Sequence, residues 1–381
     1  RGLARARPRR PPLGLGERGV RILALPGDGV GVEVTEAALR VLDWFRTRRG
    51  FACEVLRRDF GLANWTKHGT MMPDETWARI LEADAILFGA VGSLDQAGVV
   101  PPEERRKGSL LRMRKALDLF ANLRPVRMPA ALAEASPCKP RVTEGVDLIF
   151  VRELTAGVYF GTPRGVETLP DGTRRGVNTH SYTEAEIARA ARFAFALARG
   201  RRGRVTSVDK ANVMEAGALW REVVGRIGAE EFPDVVLEHM LADNCAIQLL
   251  RAPRRFDVIL TDNLFGDLLS DAAGAIIGSL GMLPSASLSA PDAAGRRRAL
   301  YEPIHGSAPD IAGRGVANPL GAILSLALLL RWSAGRAEDA AHLEAAVERA
   351  LAAGARTADI AAPGESVLST EQMTQAVLDA L

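Results

Sequence analysis

The chain has 381 residues, 47% of them apolar and 25% charged, a balance that suits a globular enzyme of two domains and excludes a low-complexity or disordered chain. The net charge of +3 is local: residues 1 to 19 hold six Arg and one Glu, so the remainder carries −2 and has no large basic surplus for nucleic acid. Three widely spaced cysteines, Cys53, Cys138 and Cys245, lack CxxC spacing and fit the reduced thiols of a cytosolic enzyme better than a disulfide framework or a zinc site.

The first segment, Arg1 to Gly19, is rich in Arg, Pro and Gly and reads as a disordered extension; an organelle transit peptide is the weaker reading, because the segment has no Ser. Val20 to Leu25 is a strand, Pro26-Gly-Asp-Gly-Val-Gly31 a tight turn, and Val32 to Arg46 a helix. A dinucleotide fingerprint GxGxxG would need Gly at position 32, where Val32 stands, so no cofactor is assigned to this turn. A helix is expected over Asp74 to Glu82 and a buried strand over Asp84 to Val91. Leu110 to Phe120 has helical periodicity, with Arg114 inside it and Arg124 just beyond its end. Gly145 to Val151 is a further strand, and Arg152 and Glu153 follow at its C-terminal end, where open α/β sheets place ligands. Three arginines converging on one site would offer bidentate forks to a substrate with two carboxylates; among 44 Arg, each alone reads as a surface salt bridge.

Thr183 to Arg199 is helical, and Val205 to Val208 is a strand ending at Lys210, one of only five lysines. A lysine there can act as a base if burial and nearby cations lower its pKa. Asp243 lies in the segment Leu241 to Asn244. After the strand Phe256 to Thr261 comes Asn263-Leu-Phe-Gly-Asp-Leu-Leu-Ser-Asp271, which on a helix sets Asp267 and Asp271 one turn apart on a single face. Like charges so placed repel unless a cation lies between them, and a hard divalent ion serves; a lone DxxxD reads as a solvated face. Tyr301 to Pro319 is dense in Gly, Pro and small polar residues and reads as a functional loop whose amides could hold a pyrophosphate. The apolar run Leu320 to Leu330 is too short to span a bilayer.

Six of these segments together resemble the β-decarboxylating dehydrogenases, the family of isopropylmalate, isocitrate, homoisocitrate and tartrate dehydrogenases: FANLRP (120–125), VRELTAGVYFGTPRG (151–165), DKANV (209–213), FGDLLSD (265–271), GSLGMLPSASL (278–288) and HGSAPDIAGRGVANP (305–319). The resemblance runs from about residue 20 to 381 and is strongest to the isopropylmalate branch. It implies an α/β fold of the isopropylmalate dehydrogenase type, with a first, cofactor-binding domain from 20–119 and 279–381 and a second domain, 120–278, inserted into it for metal binding and dimerisation. It implies NAD-dependent oxidative decarboxylation of (2R,3S)-3-isopropylmalate to 2-oxo-4-methylpentanoate, a step of leucine biosynthesis, in a cytoplasmic homodimer with shared sites and no membrane or nucleic-acid partner. Arg114, Arg124 and Arg152 would grip the two malate carboxylates. Asp267 and Asp271, with Asp243 from the partner subunit, would hold Mg²⁺ or Mn²⁺, and Asp243 would also meet the substrate. Lys210, also from the partner, would take the C2 hydroxyl proton, and Tyr159 would protonate the enol. His305, Gly306, Ser307, Ala308, Asp310, Ile311 and Asn318 would bind the cofactor, Asp310 and Ile311 favouring NAD.

Leu110 and Leu111 would give the substrate pocket an apolar wall, which separates an alkyl substituent from a carboxylate better than one alkyl from another. Two segments depart from the isopropylmalate pattern. Where its members usually carry Glu-x-Gly-Leu-Leu, this chain has Glu103-Glu-Arg-Arg-Lys-Gly-Ser-Leu-Leu111, and Lys67-His-Gly-Thr-Met-Met-Pro73 is closer to the tartrate branch. The alternatives are therefore a paralogue acting on tartrate or another 3-substituted malate, and a non-catalytic regulatory subunit. The presence of Tyr159, Lys210, Asp243, Asp267 and Asp271 argues against the second.

Overall fold

Strands apolar at successive positions must be covered on both faces, and the computed structural model is built that way. β1 (Val20–Gly27) and β3 (Ala85–Ala90) send Ile22, Ala85 and Leu87 into one apolar layer and Leu23, Ile86 and Phe88 into another. The structure describes residues 19–92 and 99–381, so all but Gly19 of the expected N-terminal extension lies outside the described residues. The other strands are β2 (Cys53–Arg57), β4 (Ala121–Arg127), β5 (Asp147–Glu153), β6 (Arg164–Thr168), β7 (Arg174–Asn178), β8 (Arg204–Asp209), β9 (Val236–Leu241), β10 (Val258–Thr261), β11 (Pro284–Leu288) and β12 (Ala299–Pro303).

Among the described residues ten strands form one mixed sheet in the order β2-β1-β3-β12-β11-β4-β5-β10-β8-β9, and β6 pairs with β7 in a separate exposed hairpin. Pairing is parallel except at the centre, where β11 is antiparallel to both β12 and β4, and β4 to β5. Early and late residues thus supply one half of the sheet and residues 121–261 the other, with hydrogen bonding unbroken across the β11–β4 junction. The helix Leu320–Trp332 is buried over nearly its whole surface, which explains its continuous apolar run. Among the described residues no helix is long and apolar enough to cross a membrane.

Most expected elements lie within two residues of those observed, but two differ. The helix at Leu110 stops at Ala116 instead of Phe120: Asp118 takes a left-handed conformation (φ 49°), and the chain turns into β4, so Arg124 sits on a strand. Leu117, Leu119 and Phe120 are buried in that turn, and apolar periodicity alone could not separate a buried turn from one more helical turn. The segment expected as a loop from Tyr301 begins as β12, leaving the loop to start after Pro303.

Candidate active site

β10 delivers the chain into the helix Asn263–Ile277, whose N-cap Asp262 accepts a hydrogen bond from Phe265 N at 2.7 Å. That start fixes the helix phase, and Asp267 and Asp271 project together toward β4 and β5. Arg152, on β5, places Nη1 2.6 Å from Asp267 Oδ1, and Arg124, on β4, reaches Asp267 at 3.2 Å and Asp271 at 2.8 Å. The two guanidiniums are buried and held by neutral groups as well. Asn263 Oδ1 accepts from Arg152 Nε and Nη2 at 3.0 and 2.7 Å; Arg124 donates to Asn122 Oδ1 at 3.0 Å and Ser270 Oγ at 2.7 Å. Burial and the neighbouring Arg124 charge lower Arg152 to about 10, so it remains a cation at neutral pH.

The two carboxylates shift in opposite directions. Burial pushes Asp267 up, but the charges of Arg152 and then Arg124 outweigh it, and the group lies below the ordinary aspartate value of 3.8. Burial raises Asp271, whose direct cationic partner among the described residues is Arg124 alone. A carboxylate depressed in the folded state contributes stability that is complete above its unfolded pKa and vanishes as pH falls through the folded one. The midpoint of thermal unfolding is therefore expected to fall as pH drops below about 4, and this acid limb should flatten in Asp267→Asn. An identical acid limb in the variant would remove this pairing as its cause.

Tyr159 donates from its hydroxyl to Asp267 Oδ2 at 3.1 Å, and burial followed by the Asp267 charge raises its pKa. The phenol is thus kept protonated and can serve as a proton donor. Arg114 lies across the cleft, with Nη2 2.9 Å from the buried carboxylate of Glu302 on β12. Three arginines face three carboxylates here, so the group is balanced without ligand. Leu110, Arg114, Arg124, Ser285, Glu302 and His305 line the cleft, of about 170 Å³. Leu111, next to Leu110 on the same short helix, is partly buried.

The loop after β12 brings His305 and Gly306 to this cleft. His305 Nδ1 lies 2.9 Å from Gly306 O, Nε2 is buried without a partner among the described residues, and burial lowers the pKa of the ring, leaving it neutral. Ser307 donates to Gly92 O and its carbonyl accepts from Val30 N at 2.8 Å, so the loop is fastened to the turn between β1 and the first helix. That turn needs glycine: Gly29 has φ +59°, and a Cβ there would lie 1.9 Å from Ser307 O. Ala308 is left-handed (φ 39°), whereas Asp310 is exposed and Ile311 partly buried. The Asn318 side chain is committed internally, donating to Asp359 at 3.0 Å and accepting from Leu320 N at 3.0 Å.

Lys210 and Asp243 stand apart from this group. Lys210 Nζ is 2.8 Å from Asp243 Oδ1, and the hydrogen bond from Lys210 depresses the Asp243 carboxylate. Among the described residues neither is bonded to Asp267, Asp271 or the three arginines, and no group of three His, Cys, Asp or Glu could enclose a metal. Sequence reading missed Asn122, Ser270, Glu302 and the role of Asn263, the groups that aim the arginines. Their one signal was polarity where the strand pattern is apolar, as at Asn122 between Ala121 and Leu123.

The family model described as isocitrate/isopropylmalate dehydrogenase matches residues 21–377. The 3-isopropylmalate dehydrogenase 1 of Bradyrhizobium diazoefficiens is 56% identical over 362 residues, covering 95% of each chain. The 3-isopropylmalate dehydrogenase of Symbiobacterium thermophilum is 56% identical over 360 residues, 94% of this chain and 97% of its own. Among solved structures, the isocitrate dehydrogenase of Methylococcus capsulatus superposes with a TM-score of 0.82 at 32% identity, covering 95% of this chain and 99% of the other.

Proposed function

The chain belongs to the isocitrate/isopropylmalate dehydrogenase family, and on that premise we propose that it carries out the NAD-dependent oxidative decarboxylation of (2R,3S)-3-isopropylmalate to 2-oxo-4-methylpentanoate in leucine biosynthesis. The observation that carries this reading is that Arg114 and Arg124 line one cleft and that Arg124 meets Arg152 at Asp267, beside Asp271 and the Tyr159 hydroxyl. A dicarboxylate and a divalent cation together add no net charge to a balanced group, so they can enter it without leaving an unpaired buried ion.

Arg114, Arg124 and Arg152 bind and orient the two substrate carboxylates, and Leu110 and Leu111 receive the isopropyl group. Lys210 of the partner subunit takes the C2 hydroxyl proton at Nζ, and Tyr159 gives its Oη proton to C3 after CO₂ has left. These two transfers balance, because the product gains at C3 one proton for the one lost at the hydroxyl. The cofactor would lie along His305, Gly306, Ser307, Ala308, Asp310, Ile311 and the backbone of Asn318; the buried His305 Nε2, which has no partner among the described residues, suits a ligand there. NAD, when bound, supplies the hydride acceptor. Asp267 and half-exposed Asp271 offer the hard oxygens that Mg²⁺ or Mn²⁺ prefers, Asp243 of the partner subunit being the third carboxylate. Either ion, when bound, supplies Lewis-acid stabilisation of the negative charge that develops on the substrate.

A homodimer with shared sites follows from the same reading. Val213, Ile247, Leu250 and Leu268 are exposed apolar residues beside Lys210, on the helix of Asp243 and on the helix of Asp267, a face suited to a second copy. Residues 20–119 with 279–381 and residues 120–278 would be its two domains. The three free thiols suit a cytoplasmic enzyme.

The test is NADH formation at 340 nm with racemic 3-isopropylmalate, NAD and Mg²⁺, with and without chelator. Turnover that the chelator abolishes is the expected result. A folded dimer inactive on this substrate but active on tartrate or another 3-substituted malate would overturn the substrate assignment.

A further inference from the structure

The two segments that depart from the isopropylmalate pattern, residues 67–73 and 103–111, are far apart in sequence and in direct contact in the fold. Pro102–Lys107 forms a short helix, and its Glu104 carboxylate points into the turn of the other segment. Glu104 Oε2 accepts from Thr70 Oγ1 at 2.8 Å and from Met71 N at 3.0 Å, while Oε1 takes Lys107 Nζ at 2.6 Å. Lys107 is therefore committed to Glu104 at this turn. Gly108 completes the contact, since a Cβ there would lie 2.7 Å from Met71 Cβ. Arg112 adds a brace, donating to Lys107 O at 3.3 Å with its guanidinium 3.7 Å above the Trp77 ring.

This contact backs the substrate wall. Ser109 caps the helix Leu110–Ala116 by accepting from Leu111 N at 3.2 Å, and Leu110 packs on an apolar layer containing Met72, Met113 and Phe88. Leu110 and Phe88 are also cleft-lining residues. Thr70 and Met71 thus join Glu104 on one side and, through Met72, the layer beneath Leu110 on the other.

We propose that Glu104, with Thr70 and the Met71 amide, forms a clamp that fixes the depth of the Leu110–Leu111 wall and so sets the size of the C3 substituent this enzyme accepts. The inference rests on the functional reading above and deepens it: the accepted class is malates with a short branched or smaller alkyl group, and bulky aryl groups are excluded. Glu104 is a positioning residue, acting on substrate only through the wall.

The test compares kcat/KM for 3-isopropylmalate, 3-benzylmalate and malate in the wild type, Glu104→Ala, Glu104→Gln and Thr70→Val, together with amide exchange at Met71. In Glu104→Ala the preference for 3-isopropylmalate over 3-benzylmalate should fall about tenfold, mostly through KM, within the range an apolar pocket can discriminate. Glu104→Gln, which keeps an acceptor, should recover part of it, and Thr70→Val should lie between. Met71 exchange should quicken in Glu104→Ala. A discrimination ratio unchanged in Glu104→Ala, even with lower overall activity, overturns the proposal, as does unchanged Met71 exchange. Absence of wild-type turnover on all three malates would instead sink the functional reading, and Met71 exchange would still decide whether the clamp exists.

Discussion

Asp267→Asn is expected to lower turnover by at least about a thousandfold while the protein still folds, the scale on which removing a group that stabilises transition-state charge acts. Asp267 is where the site's interactions meet: it accepts from Arg152 and Tyr159, pairs with Arg124, and is one of the two carboxylates proposed above for a divalent ion. The stability cost should be far smaller, about 1–3 kcal/mol, because Arg152 keeps Asn263 and Arg124 keeps Asp271 and Ser270 as partners. Urea unfolding and steady-state kinetics on the same preparation separate the two effects. The wild type should lose activity to a chelator and the residual rate of the variant should not respond. Near-normal, chelator-sensitive turnover in Asp267→Asn would remove this residue from the centre of the site.

Mixing two inactive variants should restore activity. Lys210→Met and Asp267→Asn are each expected to be inactive, since one lacks the proton acceptor and the other the carboxylate. If Lys210 serves the neighbouring subunit, a hybrid dimer has one site with both groups intact and one with neither. Random exchange of subunits then gives about a quarter of wild-type activity, by the pairing statistics of a two-fold dimer. Such sharing agrees with the geometry inside one chain, where Lys210 bonds Asp243 and neither bonds the Asp267 group. Leu250→Asp with Leu268→Asp, placed on the exposed apolar face, should yield an inactive monomer by light scattering. No activity on mixing, after exchange has been verified by native mass spectrometry, would locate Lys210 and Asp267 in the same subunit's site or in none.

Sequence by itself determined most of the secondary structure and the chemical types of the site. Apolar runs ending in polar turns located β1, β3, β5, β8 and β10, and the i, i+4 spacing put Asp267 and Asp271 on one face before any fold was known. These are local properties, decided by side-chain polarity within a few residues. The family resemblance singled out Arg114, Arg124 and Arg152 among 44 arginines, and tertiary structure decided that Arg124 and Arg152 meet at Asp267, because pairing Asn122 with Arg152 across β4 and β5 and capping the next helix at Asp262 are long-range events. It also decided the helix end at Ala116, where burying Leu117, Leu119 and Phe120 in a turn competes with one more helical turn. The contact of Glu104 with Thr70 and Met71 spans more than thirty residues, and no local pattern records which distant backbone amide a carboxylate will meet.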